Sequence, residues 1–190
     1  MSENVMTVRT ERTPNPNSLK YNLGKTILPG ASANFPTAEG AERSPLAQSL
    51  FKVAGVVSVF IGSDFITITK EEDIEWSAIN EGVAPSLEAF FESGASVLKG
   101  APIAPDREIG ADTADPELVE RIKQLLEEKV RPAVAQDGGD ITYRGFESGV
   151  VYLEMQGSCS GCPSSTATLK GGIENMLKHY CPEVQEVRAI

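Results

Sequence analysis

The stretch from Ile141 to Tyr180, ITYRGFESGVVYLEMQGSCSGCPSSTATLKGGIENMLKHY, decides how this chain is read. Ile141–Phe146 and Val150–Met155 are rich in β-branched and aromatic residues and flank Glu147, Ser148 and Gly149, the pattern of a β-hairpin. From Pro163 the apolar residues change to helical spacing. Leu169, Ile173, Met176, Leu177 and Tyr180 are predicted on the inner face, and Pro182 closes the helix. Between hairpin and helix lies GSCSGCPSS, Gly157–Ser165, which puts Cys159 in a tight loop and Cys162 at the helix N-terminus.

Working outward from this stretch, an earlier helix starts at Asp115. The carboxylate can cap the helix, Pro116 suits its first position, and Glu117 favours its positive end. Leu118, Ile122, Leu125 and Leu126 face inward, Pro132 should disturb the helix, and Gly138 with Gly139 should stop it. A last strand is predicted over Val184–Ile190. The order helix, strand, strand, helix, strand belongs to an α+β layer fold.

Upstream, GASVLKGAPIAPDREIGADT (Gly94–Thr113) replaces periodic apolar residues with Gly, Ala, Pro and Ser. About twenty structureless residues are uncommon inside one compact domain, so this stretch reads as a linker. The expected organisation is a domain over 1–94, a flexible linker over 95–113 and a second domain over 114–190, both of them small α/β-layer units.

In the first domain, Val8–Arg12 and the alternation around Leu19, Tyr21 and Leu23 predict strands joined by a turn at Thr13–Ser18. Ser44 and Pro45 predict a helix start, with Leu46, Leu50 and Phe51 on one face. Val56–Ile61 and Phe65–Thr69 form a hairpin through Gly62, Ser63 and Asp64. Trp76, Ile79, Val83, Leu87, Phe90 and Phe91 then recur at helical spacing as a core stripe, with Pro85 expected to kink or split the helix. This domain has no spaced acid pair, no nucleophile with its base and no phosphate loop, so it is not read as an enzyme.

Charge narrows the function classes. Residues 1–100 carry 8 basic and 12 acidic side chains and residues 101–190 carry 9 and 15, for a net charge of −10 over 190 residues. Polyanion binding needs Lys and Arg to displace counterions, and neither half offers an excess of them, so nucleic acid is not an expected partner. The chain opens Met1, Ser2, Glu3, Asn4, without the basic then apolar opening of a secretory signal. Its most apolar run, Val53–Gly62, is about half the roughly 20 residues of a membrane span. Three cysteines do not make a disulfide framework, which fits a reducing compartment.

Cys159 and Cys162 therefore invite a metal or redox role. Unpaired amides and the helix dipole at their position should ease ionisation, and the thiolate is the form that binds metal. A structural zinc site needs four N or S ligands. His179 and Cys181 lie some 16 residues along the helix, roughly 25 Å away, and cannot complete it within one chain. The same distance rules out a Cys162–Cys181 disulfide, leaving Cys181 most simply as a semi-buried structural thiol. A thiol-disulfide oxidoreductase remains the alternative, although that motif sits in a βαβ pattern and here follows a hairpin. An iron–sulfur cluster wants four cysteinyl ligands where one chain supplies two, so two chains meeting about a two-fold axis would be needed.

PAVAQDGGDI (Pro132–Ile141) and GSCSGCPSS make the second domain resemble the C-terminal domain of the Nfu (NifU-like) proteins. TPNPNSLKY (Thr13–Tyr21), SPLAQSLF (Ser44–Phe51) and GVVSVFIGSDFITITK (Gly55–Lys70) make the first resemble the Nfu N-terminal domain. The resemblance implies a scaffold or carrier that takes an iron–sulfur cluster from an assembly machinery and passes it to apo iron–sulfur enzymes. It implies Cys159 and Cys162 as ligands to a 4Fe-4S cluster bridging a homodimer, with 2Fe-2S as the other form. The arrangement is similar to mitochondrial Nfu proteins. Without a transit-like opening, it implies a bacterial cytoplasmic member, or the mitochondrial matrix for a processed eukaryotic form.

Overall fold

Ser44 shows how local chemistry sets the first unit. Its hydroxyl accepts the Ala47 N–H at 3.0 Å, and Pro45 opens helix α1 (Pro45–Leu50) just inside that cap. This computed structural model describes residues 8–100, 115–160 and 163–190, with backbone only for 163–165. The described residues form two compact units, one on each side of residues 101–114.

The first unit holds β1 (Arg9–Arg12), β2 (Ser18–Asn22), β3 (Ala33–Phe35), β4 (Val56–Ile61) and β5 (Phe65–Lys70) in one antiparallel sheet of order β1-β2-β5-β4-β3. The predicted turn at Thr13–Ser18 is built by side chains: Asn15 Oδ1 accepts the Asn17 N–H at 3.0 Å, and Thr13 Oγ1 accepts the Asn15 N–H at 3.2 Å. Tyr21, Phe35, Val59, Ile61, Ile66 and Ile68 are buried in one core with Leu46 and Leu50 of α1 and with Ile79, Val83 and Leu87 of α2 (Trp76–Glu92). The Tyr21 hydroxyl donates to Asn80 Oδ1 at 2.6 Å, and burial pushes its ionisation to higher pH. Trp76 is only partly buried against this core, and its indole N–H donates to the Pro16 carbonyl at 3.2 Å.

Pro85 does not split its helix: α2 runs unbroken from Trp76 to Glu92. Burial of Ile79, Val83, Leu87 and Phe90 holds both halves on one core and outweighs a missing backbone donor. Residues 95–100, read as the start of the linker, are tied to the first unit. Val97 and Leu98 pack on its core, the Lys99 N–H donates to the Arg43 carbonyl at 2.7 Å, and the Ser44 hydroxyl donates to the Val97 carbonyl at 2.7 Å. Residues 101–113 of the expected linker lie outside the described residues.

The second unit follows the predicted order. Asp115 Oδ1 accepts the Glu117 N–H at 3.1 Å and caps α3 (Pro116–Leu125). The disturbance expected at Pro132 appears as one π-helical turn, Leu126–Val130, before α4 (Arg131–Gln136). A wider turn lets the chain pass a residue that has no N–H without leaving the helix axis. Strands β6 (Gly139–Glu147) and β7 (Val150–Gly157) form the hairpin, turning on Ser148 (φ 51°) and Gly149 (φ 84°). Two successive left-handed residues give the turn that matches strand twist. Helix α5 (Pro163–Tyr180) then carries the chain over to β8 (Glu186–Ala189), which lies parallel to β7.

Ile122, Leu126, Val134, Ile141, Val151, Leu153, Ile173, Leu177 and Val187 form the core of this unit. Tyr180, expected on the inner face of α5, is instead 38% exposed and stacks edge-on against the exposed His179, with ring centroids 5.0 Å apart. The two units make the molecule an α+β protein. Among the described residues, no helix is long and apolar enough to cross a membrane.

Candidate metal centre

The Cys159 loop is shaped by backbone hydrogen bonds before any ligand is considered. Strand β7 ends at Gly157 with φ 68°, a left-handed conformation that glycine adopts without strain. The Gly157 carbonyl accepts both the Ser160 N–H at 3.1 Å and the Ser160 hydroxyl at 2.8 Å, closing the turn over Ser158 and Cys159. On one side, the Ser158 N–H donates to the Gly138 carbonyl at 3.2 Å and its hydroxyl donates to the Asp137 carbonyl. On the other, the Thr166 hydroxyl of α5 donates to the Cys159 carbonyl at 2.8 Å.

The sulfur of Cys159 lies inside this frame. Cys159 is 6% exposed and belongs to the core of the second unit. Gly139 forms its floor: a Cβ there would stand 2.7 Å from Cys159 Sγ and 2.6 Å from the Gln156 carbonyl oxygen. Neither approach is tolerated between real atoms, so the sulfur can sit here only because position 139 has no side chain. The sequence reading assigned Gly138 and Gly139 only a helix-stopping role. The second role has no local signal, because Gly139 and Cys159 meet through the β6–β7 pairing.

The electrostatics reverse the sequence expectation for Cys159. Burial pushes its thiol up to about 11. The Ser158 hydroxyl pulls the other way, while the Asp137 and Asp140 carboxylates add to the rise. A nearby helix start does not offset desolvation and two negative neighbours, so the thiol is protonated at neutral pH in this conformation. Asp140 is itself held by Arg131, whose Nε and Nη2 donate to Oδ1 and Oδ2, each at 2.8 Å. Arg131 Nη1 also donates to both Glu127 oxygens, at 2.7 and 2.8 Å, and these bonds raise the guanidinium pKa, the Asp140 bond most.

Cys162, the second candidate ligand, lies outside the described residues. Cys181 is fully buried beyond the C-terminal end of α5, where its N–H donates to the Leu177 carbonyl at 2.7 Å. It packs as a core residue, more deeply than the sequence reading of a semi-buried thiol had it. Among the described residues, no three His, Cys, Asp or Glu side chains are grouped to hold a metal ion. The soft sulfur of Cys159 suits iron or zinc, but a complete centre there needs donors beyond the described residues of one chain.

Fold and loop together define a class: two α+β units in one chain, the second carrying a cysteine loop at the head of a long helix. The N-terminal Nfu/NifU scaffold-protein family matches residues 8–94, and the NifU-like domain family matches residues 122–188. The human NFU1 iron-sulfur cluster scaffold homolog, mitochondrial, is 47% identical over 186 residues, covering 97% of this chain and 72% of that protein. Arabidopsis thaliana NifU-like protein 4, mitochondrial, is 47% identical over 184 residues, covering 96% of this chain and 65% of that protein. The Drosophila sechellia NFU1 iron-sulfur cluster scaffold homolog, mitochondrial, is 50% identical over 186 residues, at 97% and 65% coverage. The chain belongs to the Nfu (NifU-like) family, with both its N-terminal and its C-terminal domain. It spans between 65% and 72% of the length of these three relatives.

Proposed function

We propose that this protein is an iron–sulfur cluster scaffold or carrier that holds a 4Fe-4S cluster between two copies of the chain and delivers it to apo iron–sulfur proteins. The observation that carries this reading is the Cys159 loop, set at the head of α5 in a chain whose relatives are named as cluster scaffolds. Cys159 and Cys162 of each copy would supply four sulfurs, the usual ligand count of a cubane. The cluster is cargo here. Shared across a small interface, it is protected while the copies stay together and exposed when they part, which suits a carrier. An assembly machinery would be the donor and apo iron–sulfur enzymes the acceptors. The relatives are mitochondrial by name, which supports a mitochondrial over a bacterial cytoplasmic location.

Anaerobic reconstitution with ferrous iron and sulfide tests the proposal. The expected product is a brown dimer holding about two irons and two sulfides per chain, half a cubane each. A monomer carrying a whole cluster, or a chain that takes up none, overturns it. A chain that stays colourless and reduces insulin disulfides would instead be the thiol-disulfide oxidoreductase. The hairpin that leads into the cysteine loop counts against that alternative, whose motif sits in a βαβ pattern.

A further inference from the structure

Gly138 and Gly139 lead into β6 side by side, but different physics requires each of them. Gly138 has φ 80°, a left-handed backbone that glycine adopts freely, whereas Gly139 is not left-handed and its backbone by itself would accept alanine. What forbids a side chain at Gly139 comes from across the hairpin. A Cβ there would stand 2.6 Å from the Gln156 carbonyl oxygen, 2.7 Å from Cys159 Sγ and 3.3 Å from Cys159 Cβ. Gln156 belongs to β7, and Gly139 pairs with Gly157, the residue that leads into the cysteine loop. Relief has two routes. The Cys159 side chain can turn away, or the paired strand ends can part and carry Gly157 and Cys159 with them. Both move the sulfur.

We infer that Gly139 is a positioning residue for cluster binding: by having no side chain, it sets where the Cys159 sulfur stands at the end of the β6–β7 pair. The inference rests on the cluster-carrying reading, in which Cys159 is a ligand. Gly139 acts only through that cysteine. Groups behind a metal ligand fix its place, and their loss typically costs about 10- to 100-fold in affinity while the ligand itself remains. An added methyl group at Gly139 therefore weakens the hold on the cluster without removing a sulfur from it.

The test compares Gly139→Ala with Gly149→Ala in the full-length chain after anaerobic reconstitution. Gly149 has φ 84° in the turn at the other end of the same hairpin, where a Cβ would meet the Gln185 side chain. Alanine there strains the hairpin without approaching Cys159. Loss of the cluster to an excess of ferrous chelator, followed by the decay of its visible absorption, should be about tenfold faster in Gly139→Ala than in the native chain. Gly149→Ala should lower the urea midpoint and leave that decay unchanged. Equal decay in Gly139→Ala and the native chain overturns the inference. Equal acceleration in both variants does so too, since it reports a generally weakened hairpin.

A second measurement needs no cluster. Gly139→Ala should lower the urea midpoint less in a Cys159→Ala background than in the native one, because the sulfur it collides with is gone. Additive effects would show that the Gln156 carbonyl alone demands the glycine, and would overturn the inference. Should Gly139→Ala fail to fold, the double variant must recover the fold, and one that stays unfolded is again contrary. A native chain that takes up no cluster sinks the carrier reading, while the cycle with Cys159→Ala still decides whether Gly139 places the sulfur.

Discussion

Arg131 and Asp140 meet through two parallel hydrogen bonds of 2.8 Å, one from Nε and one from Nη2, and this fork ties α4 to the first residues of β6. Asp140 follows Gly139, the floor under Cys159. The pair therefore anchors the strand end against which the sulfur is placed. Arg131→Met removes both charge-assisted bonds to a buried carboxylate and should cost about 2 kcal/mol in urea unfolding. Arg131→Lys should recover only part of this, because an ammonium cannot reproduce the fork. A cycle with Asp140→Asn should give a coupling of at least about 1 kcal/mol. Independent, additive effects would mean that the fork does not hold this strand end.

The three cysteines should separate cleanly by substitution. Cys159→Ser and Cys162→Ser are each expected to abolish cluster uptake while the empty chain keeps its circular dichroism. Cys181→Ser should keep the cluster but lower stability by about 1–2 kcal/mol, since it places a hydroxyl in a fully buried site. A cluster retained at full stoichiometry in Cys159→Ser would remove that residue from the ligand set.

Glu174 links α5 to β8 and gives a pH signature. Lys178 Nζ donates to its Oε1 at 2.6 Å and the Val187 N–H donates to its Oε2 at 3.1 Å. Together these hold the carboxyl below its ordinary 4.5, with the Lys178 bond the larger cause. A depressed folded-state pKa means stabilisation that is present above the ordinary value and lost as pH falls through the folded one. Glu174→Gln should therefore lose stability at neutral pH and show a shallower decline from about pH 5 downward. Parallel stability curves for the two proteins would show that Glu174 makes no contribution to acid unfolding.

Much of the fold was legible in the sequence because its signals are local. Ser44 with Pro45 and Asp115 with Pro116 mark helix starts through groups within three residues of each other, and both caps form as predicted. The two hairpins were equally legible from their turn residues. Strand β3 was not: Ala33–Phe35 is a three-residue edge strand, too short to show alternation, and it is defined only by pairing with β4. The unbroken α2 and the exposed Tyr180 were missed for a related reason. A proline penalty and a helical period are read along the chain, but the outcome depends on what packs across it.

At the candidate site the division is sharper. By itself, the sequence determined that two cysteines fall at the junction of a hairpin and a helix, with the third thiol a helix-length away, because spacing along regular elements is arithmetic on the chain. Only the tertiary structure decided the state of Cys159. Its sulfur is buried against Gly139 and faced by Asp137 and Asp140, so its thiol is held protonated, where a helix start alone would have favoured the thiolate. Those neighbours lie about twenty residues upstream and reach the sulfur through the β6–β7 hairpin. Desolvation and charge act through space, and no local pattern along the chain records them.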